Sequence, residues 1–388
     1  VAGAIAIGGP GAVFWMWISA ILGMCTKFSE VTLAVHFRET NANGDLVGGP
    51  MYYIKNGLKK HWHWLAYLFS AFGVLTVFGT GNATQVNTIT TAIDSALINY
   101  NVIAADNTST VNLVMGIILA ILVAMILLGG IKRIGQVTEK LVPFMALFYI
   151  ILAVGVVIIN WKNVPGVFSA IIRGAFNPAS VTGGVVGSFF MSMKKGVSRG
   201  IFSNEAGLGS SPIVAAAAKT NSGVRQGLLS MTSVFVTTIL TCSMTGLVII
   251  SSGLMDNSDM NGSTLVTAAY NMCLPHNIGM YLIAVGIMFF AFTTILGWNY
   301  YGERCLVYLT GTTKWIKPYK IIYIAAIALA PFLSLEPIWL LADITNALMI
   351  IPNLIAIIAL RKVIIGETKL YFSKQNEEKM SAAVKAVE

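Results

Sequence analysis

The chain has 388 residues, of which 56% are apolar and only 11% charged, with a mean hydropathy of +0.76. Soluble domains carry roughly 25% charged residues, so this composition excludes a soluble enzyme, a disordered chain and a collagen-like repeat, and leaves a polytopic membrane protein. Twenty-five Lys and Arg against 16 acidic residues give a net charge of +9. Inner loops of membrane proteins collect such an excess, and no basic stripe interleaved with exposed aromatics points to nucleic acid.

About 20 apolar residues cross a bilayer as a helix. In chain order, continuous candidates lie at 11–35, 64–97, 111–130, 141–160, 227–251, 279–309, 319–334 and 339–360, with a ninth region at 183–218 and the stub of a preceding span at 1–7. The chain opens at Val1 inside an apolar Ala/Gly stretch, which reads as the end of a longer helix. If the ninth region crosses once, the alternating sides hold 19 and 2 Lys/Arg, and the side with 19 is cytoplasmic by the positive-inside rule. Short amphipathic linkers at 164–176 and 263–274 read as helices on the outer surface. A transmembrane core over 1–373 is then followed by a polar tail, 374–388, expected to be a loose cytoplasmic end.

The region 183–218 departs from the other spans. Residues 183–193 make roughly 16 Å of helix at 1.5 Å per residue, half a membrane. The run KKGVSRGIFSNEAGLGSSP follows, with Gly196, Gly200, Gly207, Gly209 and Pro212, and with Lys194, Lys195, Arg199 and Glu205 among them. One reading is a discontinuous helix whose loosened backbone binds substrate and ions near the midplane. The other is a short span ending at Met193, followed by an inner amphipathic loop.

Two polar constellations lie inside spans. FGTGNATQVNTITT, 78–91, carries Asn82, Gln85 and Thr88, with Gln85 and Thr88 on one helix face. FFAFTTILGWNYYGER, 289–304, carries the adjacent hydroxyls Thr293 and Thr294, with Trp298 one turn on. Two hydroxyls plus backbone carbonyls suit sodium, a hard cation that prefers oxygen; the alternative is Thr bonding back to its own helix. Lys27 and Glu30, at i and i+3, read as a mutual pair near the inner end of their span. Glu303 and Arg304 read as capping the inner end of theirs, and Asp94 and Asp343 as lying near the outer face.

Catalytic signatures are absent from the sequence: no P-loop, HExxH, GxSxG or Cys/His cluster. The four histidines, His36, His61, His63 and His276, fall at linkers or span ends. The linker after the span at 227–251 holds Asp256 and Asp259. Cys25, Cys242, Cys273 and Cys305 form no CxxC pair and read as small hydrophobes. The sequence therefore implies no enzyme and no cofactor.

GGPGAVFWMWISAILG at 8–23 resembles the alanine or glycine:cation symporters, the sodium:alanine symporter family. NGDLVGGPMYYIKNGL at 43–58, GTGNATQVNTI at 79–89 and GVSRGIFSNEAGLGSSPIVAAAAKT at 196–220 share the resemblance. It implies an all-α, leucine-transporter-type fold of two inverted five-helix repeats, with residues 1–7 as the end of core helix one and 183–218 as a discontinuous core helix six. Most of core helix one, and with it part of the site, would precede Val1. Gln85, Phe189, Phe190, Met193, Thr294 and Trp298 would line the substrate pocket. Thr293, Thr294 and the Phe290 carbonyl would hold sodium. The resemblance also implies a monomer in a prokaryotic cell membrane, moving alanine or glycine with sodium as the coupling ion by alternating access. Alternatives are a proton-coupled amino-acid permease of the same fold, or a channel.

Overall fold

The computed structural model describes residues 1–41, 44–104, 107–176, 184–256, 262–275 and 278–387. Positions 43, 183, 259, 276 and 388, which figure in the sequence reading, lie outside them. Among the described residues the structure is all-α apart from one short antiparallel hairpin. Helices α1 (Ala2–Gly8) and α2 (Ala12–His36) lead into β1 (Glu39–Thr40) and β2 (Leu46–Val47), then α3 (Pro50–Gly57). Next come α4 (Trp64–Phe78), a π-helical turn at Gly79–Ala83, and α5 (Thr84–Asn99), which together form one long rod. Helices α6 (Thr108–Leu127), α7 (Gly130–Ile159) and α8 (Val164–Phe176) follow, then α9 (Gly184–Asn204) and the short α10 (Ser211–Ala215). The second half comprises α11 (Gly223–Val234), α12 (Ser243–Ser252), α13 (Gly262–Cys273), α14 (Gly279–Thr310), α15 (Ile316–Leu329), α16 (Leu335–Ala359) and α17 (Arg361–Val387).

Among the described residues, seven helical stretches are long and apolar enough to cross a membrane, and they match seven of the nine spans expected from hydropathy. The other two are present as helices but differ in kind. Helix α15 has 14 residues, roughly 21 Å of rise against a hydrocarbon core of about 30 Å. Helix α9 is 21 residues long but carries Lys194, Lys195 and Arg199. The amphipathic linkers are helices, α8 and α13, and α8 buries Val167, Ile171 and Ala175 along one face. Helix α17 runs unbroken through position 374, where the polar tail begins in sequence.

Glycine packing decides how α9 meets α2. A Cβ on Gly196 would lie 2.6 Å from the Trp15 Cβ, and one on Gly200 2.9 Å from the Ser19 Oγ. Those glycines let two backbones approach, and the helix continues through both. The expected break after Met193 is therefore displaced. The helix ends at Asn204, and the non-helical turn spans 205–210, with positive φ at Glu205 (54°), Gly207 (87°) and Gly209 (80°).

Among the described residues four apolar clusters hold the bundle, the smallest joining Ala92 and Ala96 of α5 to Met280 and Ala284 of α14. Ala2 and Ile5 of α1 pack with Tyr149, Val248, Tyr270 and Ile283, and Phe290 lies against the same cluster. Val86, Ile295, Trp298 and Tyr323 join α5, α14 and α15 around Leu208 of the turn. Leu33, Tyr53, Phe69, Met349 and Leu360 close the end where α2, α3, α4 and α16 meet.

Candidate functional site

The 205–210 turn is the irregular backbone around which polar groups gather, and α2, α3, α14 and α16 each contribute a side chain. Glu30 is fully buried and accepts the Gly209 N–H at 3.1 Å. Asn353 donates to Glu30 and to the Gly207 carbonyl (2.8 Å), while its own oxygen accepts from the Tyr53 hydroxyl. Lys27 donates to Ser211. Glu205 accepts from the Ser210 hydroxyl (2.7 Å) and from Tyr301 (3.4 Å). Buried polar groups need partners of this kind, and here they hold a strained turn in one shape. Lys27 and Glu30 interact electrostatically, as their spacing suggests, but each sends its hydrogen bonds to the turn region across more than 170 residues of sequence.

Outward along α16 from Asn353, Asp343 meets Arg199 of α9 in a bidentate pair at 3.0 and 3.1 Å. The guanidinium also lies 4.8 Å from the Trp339 ring and 5.6 Å from Phe202, an arrangement suited to arginine rather than lysine. Asp343 is therefore a fixed partner of α9. Glu303 and Arg304 do not cap a helix end either, since α14 continues to Thr310. Glu303 pairs with Lys320 of α15 at 3.0 Å, and Arg304 stacks on Tyr300 at 4.8 Å.

A second feature is the seam between α5 and α14. A Cβ on Gly81 would lie 2.6 Å from the Trp298 Cγ, so the missing side chain is what seats the indole. The Tyr323 hydroxyl shares its single proton between the carbonyls of Gly81 (2.7 Å) and Ile295 (2.8 Å), tying both segments to α15. Trp298 meets Tyr301 edge-on at 5.4 Å, and Tyr301 in turn reaches Glu205. The helices run antiparallel by the side assignment above. One turn beyond Gly81 is Gln85, and four positions before Trp298 is Thr294.

The residues expected at the site fall into two groups. Gln85 is half-buried and donates to the Thr80 carbonyl (2.9 Å). Thr293 and Thr294 both donate to the Phe290 carbonyl, at 2.9 and 2.8 Å, and Thr293 also touches the Met145 sulfur of α7 at 3.5 Å. Three oxygens are thus adjacent, with both hydroxyls bonding back to their own helix, the alternative to ion binding given above. Phe189, Phe190 and Met193 lie elsewhere. Phe189 packs edge-on against Trp15 at 5.4 Å, and Phe190 is 56% exposed. Met193 precedes Glu205 by 12 positions, about 18 Å along the helix. Sequence reading missed Tyr323, Asn353 and Tyr53. Their role depends on long-range contact, and no local pattern marks it.

Among the described residues no group of His, Cys, Asp and Glu has the proximity of a metal centre. The sodium:alanine symporter family model matches residues 1–386. The chain belongs to the sodium:alanine symporter family. It is 49% identical over 376 residues to a transporter of Haemophilus influenzae, covering 96% of this chain and 79% of the relative. It is 41% identical over 385 residues to the sodium/alanine symporter AgcS of Methanococcus maripaludis, covering 98% and 81%. It is 36% identical over 392 residues to the amino-acid carrier protein AlsT of Bacillus subtilis, covering 100% and 78%. The protein is an amino-acid:cation symporter and not an enzyme, and it is a multi-pass cell-membrane protein with bacterial and archaeal relatives.

Proposed function

We propose that this symporter couples inward sodium flow to uptake of a small neutral amino acid, alanine or glycine, by alternating access. The relative AgcS is named for sodium and alanine. The observation that carries the reading is the trio of adjacent oxygens at Thr293, Thr294 and Phe290 O, with Phe290 packed in the same cluster as Ala2 and Ile5 of α1. Sodium enters by turning the two hydroxyl lone pairs outward, and α1 faces the same cluster from the other side. The Gln85–Thr294–Trp298 seam receives the substrate. Phe189, Phe190 and Met193 line the approach along α9. The arrangement belongs to the leucine-transporter type, two inverted five-helix repeats, and works as a monomer.

The energetics fit the task. One sodium moving down 100 mV contributes about 2.3 kcal/mol, which is more than tenfold accumulation at 1.4 kcal/mol per factor of ten. Coupling requires that sodium favour one conformation over the other. Purified protein in liposomes, loaded with potassium and given labelled alanine, tests the reading. Uptake that requires external sodium supports it. Uptake unchanged when potassium replaces sodium overturns sodium coupling. Dependence on a proton gradient alone would favour the proton-coupled alternative, and non-saturable flux a channel.

A further inference from the structure

We infer that α17 lies against the inner leaflet and binds anionic lipid headgroups through a face that mixes basic and apolar side chains. The helix starts one residue after the end of α16, with Leu360 between them, so it begins where a membrane-crossing helix leaves the bilayer. One side of α17 is packed: Ile364 is buried in the cluster that holds Leu360, and Glu367 pairs with His36 at the end of α2 at 3.3 Å. The opposite side is exposed. It presents Ile365 (52% exposed), Leu370 (49%) and Phe372 (44%) together with exposed Arg361, Lys362 and Lys369. At 100° per residue, Arg361, Phe372, Ile365, Lys369, Lys362 and Leu370 fall within one half of the helix.

That mixture identifies the occupant. Large apolar side chains alone would suit a protein groove, and lysines alone would suit water. Their interleaving on one helical face matches the bilayer interface, where apolar side chains enter the acyl boundary and ammonium groups meet phosphates. Over residues 361–375 of α17, the part whose side chains are described, the acidic residue is Glu367, which points away and is engaged by His36. Exposed Lys219 and Arg225 flank the start of α11, an element α17 packs against, so the positive surface extends past α17 itself. By the Lys/Arg count this is the cytoplasmic side, whose leaflet carries the anionic lipid. The inference does not depend on which amino acid is transported.

The test uses the full chain in liposomes with an environment-sensitive fluorophore on Gly366→Cys. A side chain at Gly366 meets nothing within 4 Å, so the label does not disturb packing. Exposed Cys25 is replaced by Ser; the other cysteines are buried. Quenching by brominated lipids is compared in phosphatidylcholine and in vesicles containing phosphatidylglycerol. The expected result is strong shallow quenching with phosphatidylglycerol and weak quenching without it. Raising the salt reverses the quenching as the Debye length falls from about 10 Å at 0.1 M to about 3 Å at 1 M. Each of Arg361→Gln, Lys362→Gln and Lys369→Gln lowers the docked-to-free ratio about fivefold. A label that stays in water in both vesicles overturns the inference and points to a cytoplasmic protein partner instead. Equal quenching in both vesicles, unmoved by the Gln variants, overturns the headgroup part by showing apolar insertion alone.

Discussion

Gly81→Ala is the sharpest perturbation of the seam between α5 and α14. The new methyl would sit 2.6 Å from the Trp298 Cγ and 3.3 Å from its Cδ2, well inside van der Waals contact. The helices cannot simply part, because the Tyr323 hydroxyl binds the carbonyls of both Gly81 and Ile295. The indole must therefore shift or the π-helical turn must deform. Overpacking of a filled interior costs about 1–3 kcal/mol, equivalent to roughly five- to 150-fold in an equilibrium constant. Gly297→Ala is the control: it lies beside Trp298 in the chain, yet its Cβ meets nothing within 4 Å. Thermal unfolding in detergent and alanine uptake in liposomes are the two assays. Gly81→Ala should lower the melting temperature and raise the KM for alanine, while Gly297→Ala leaves both near the parent. If the two variants behave alike, Trp298 is not seated by Gly81, and the account of the seam fails.

Further expectations follow from the same contacts. Tyr323→Phe removes the donor shared by two carbonyls and should cost about 1 kcal/mol of stability in a thermal melt. Asn353→Leu strips Glu30, Gly207 and Tyr53 of a partner at once; it should destabilise by about 1–3 kcal/mol or more and increase proteolysis within 205–210. Arg199→Lys keeps the charge but loses the bidentate contact to Asp343, and should speed thermal inactivation where Lys314→Arg, on an exposed loop, does not. Thr294→Val should raise the sodium concentration needed for half-maximal uptake; an unchanged requirement removes this residue from the ion site.

The long spans were legible because hydropathy alone marks 20 apolar residues, and α8 appeared with its observed bounds because its apolar face repeats at helical spacing. The break in α9 was misplaced for a reason of chemistry. Gly196 and Gly200 have the same local signature as Gly207 and Gly209, but the first pair admits α2 and the second pair adopts positive φ. Only the neighbour distinguishes these uses. The same holds for Lys27 and Glu30, whose i, i+3 spacing suggested each other while their hydrogen-bond partners are Ser211, Gly209 and Asn353. Asp343, too, gave no sign of Arg199, which lies 144 positions away. By contrast, the bonding of Thr293 and Thr294 back to the Phe290 carbonyl follows from i−3 and i−4 geometry and is one of the two readings the sequence left open.

The measurement that bears most directly on symport is accumulation of labelled alanine in liposomes under an imposed sodium gradient, with the membrane potential clamped at zero. The account predicts that internal alanine rises above the bath and falls back when a sodium ionophore dissipates the gradient. Alanine that only equilibrates, whatever the sodium gradient, would contradict it.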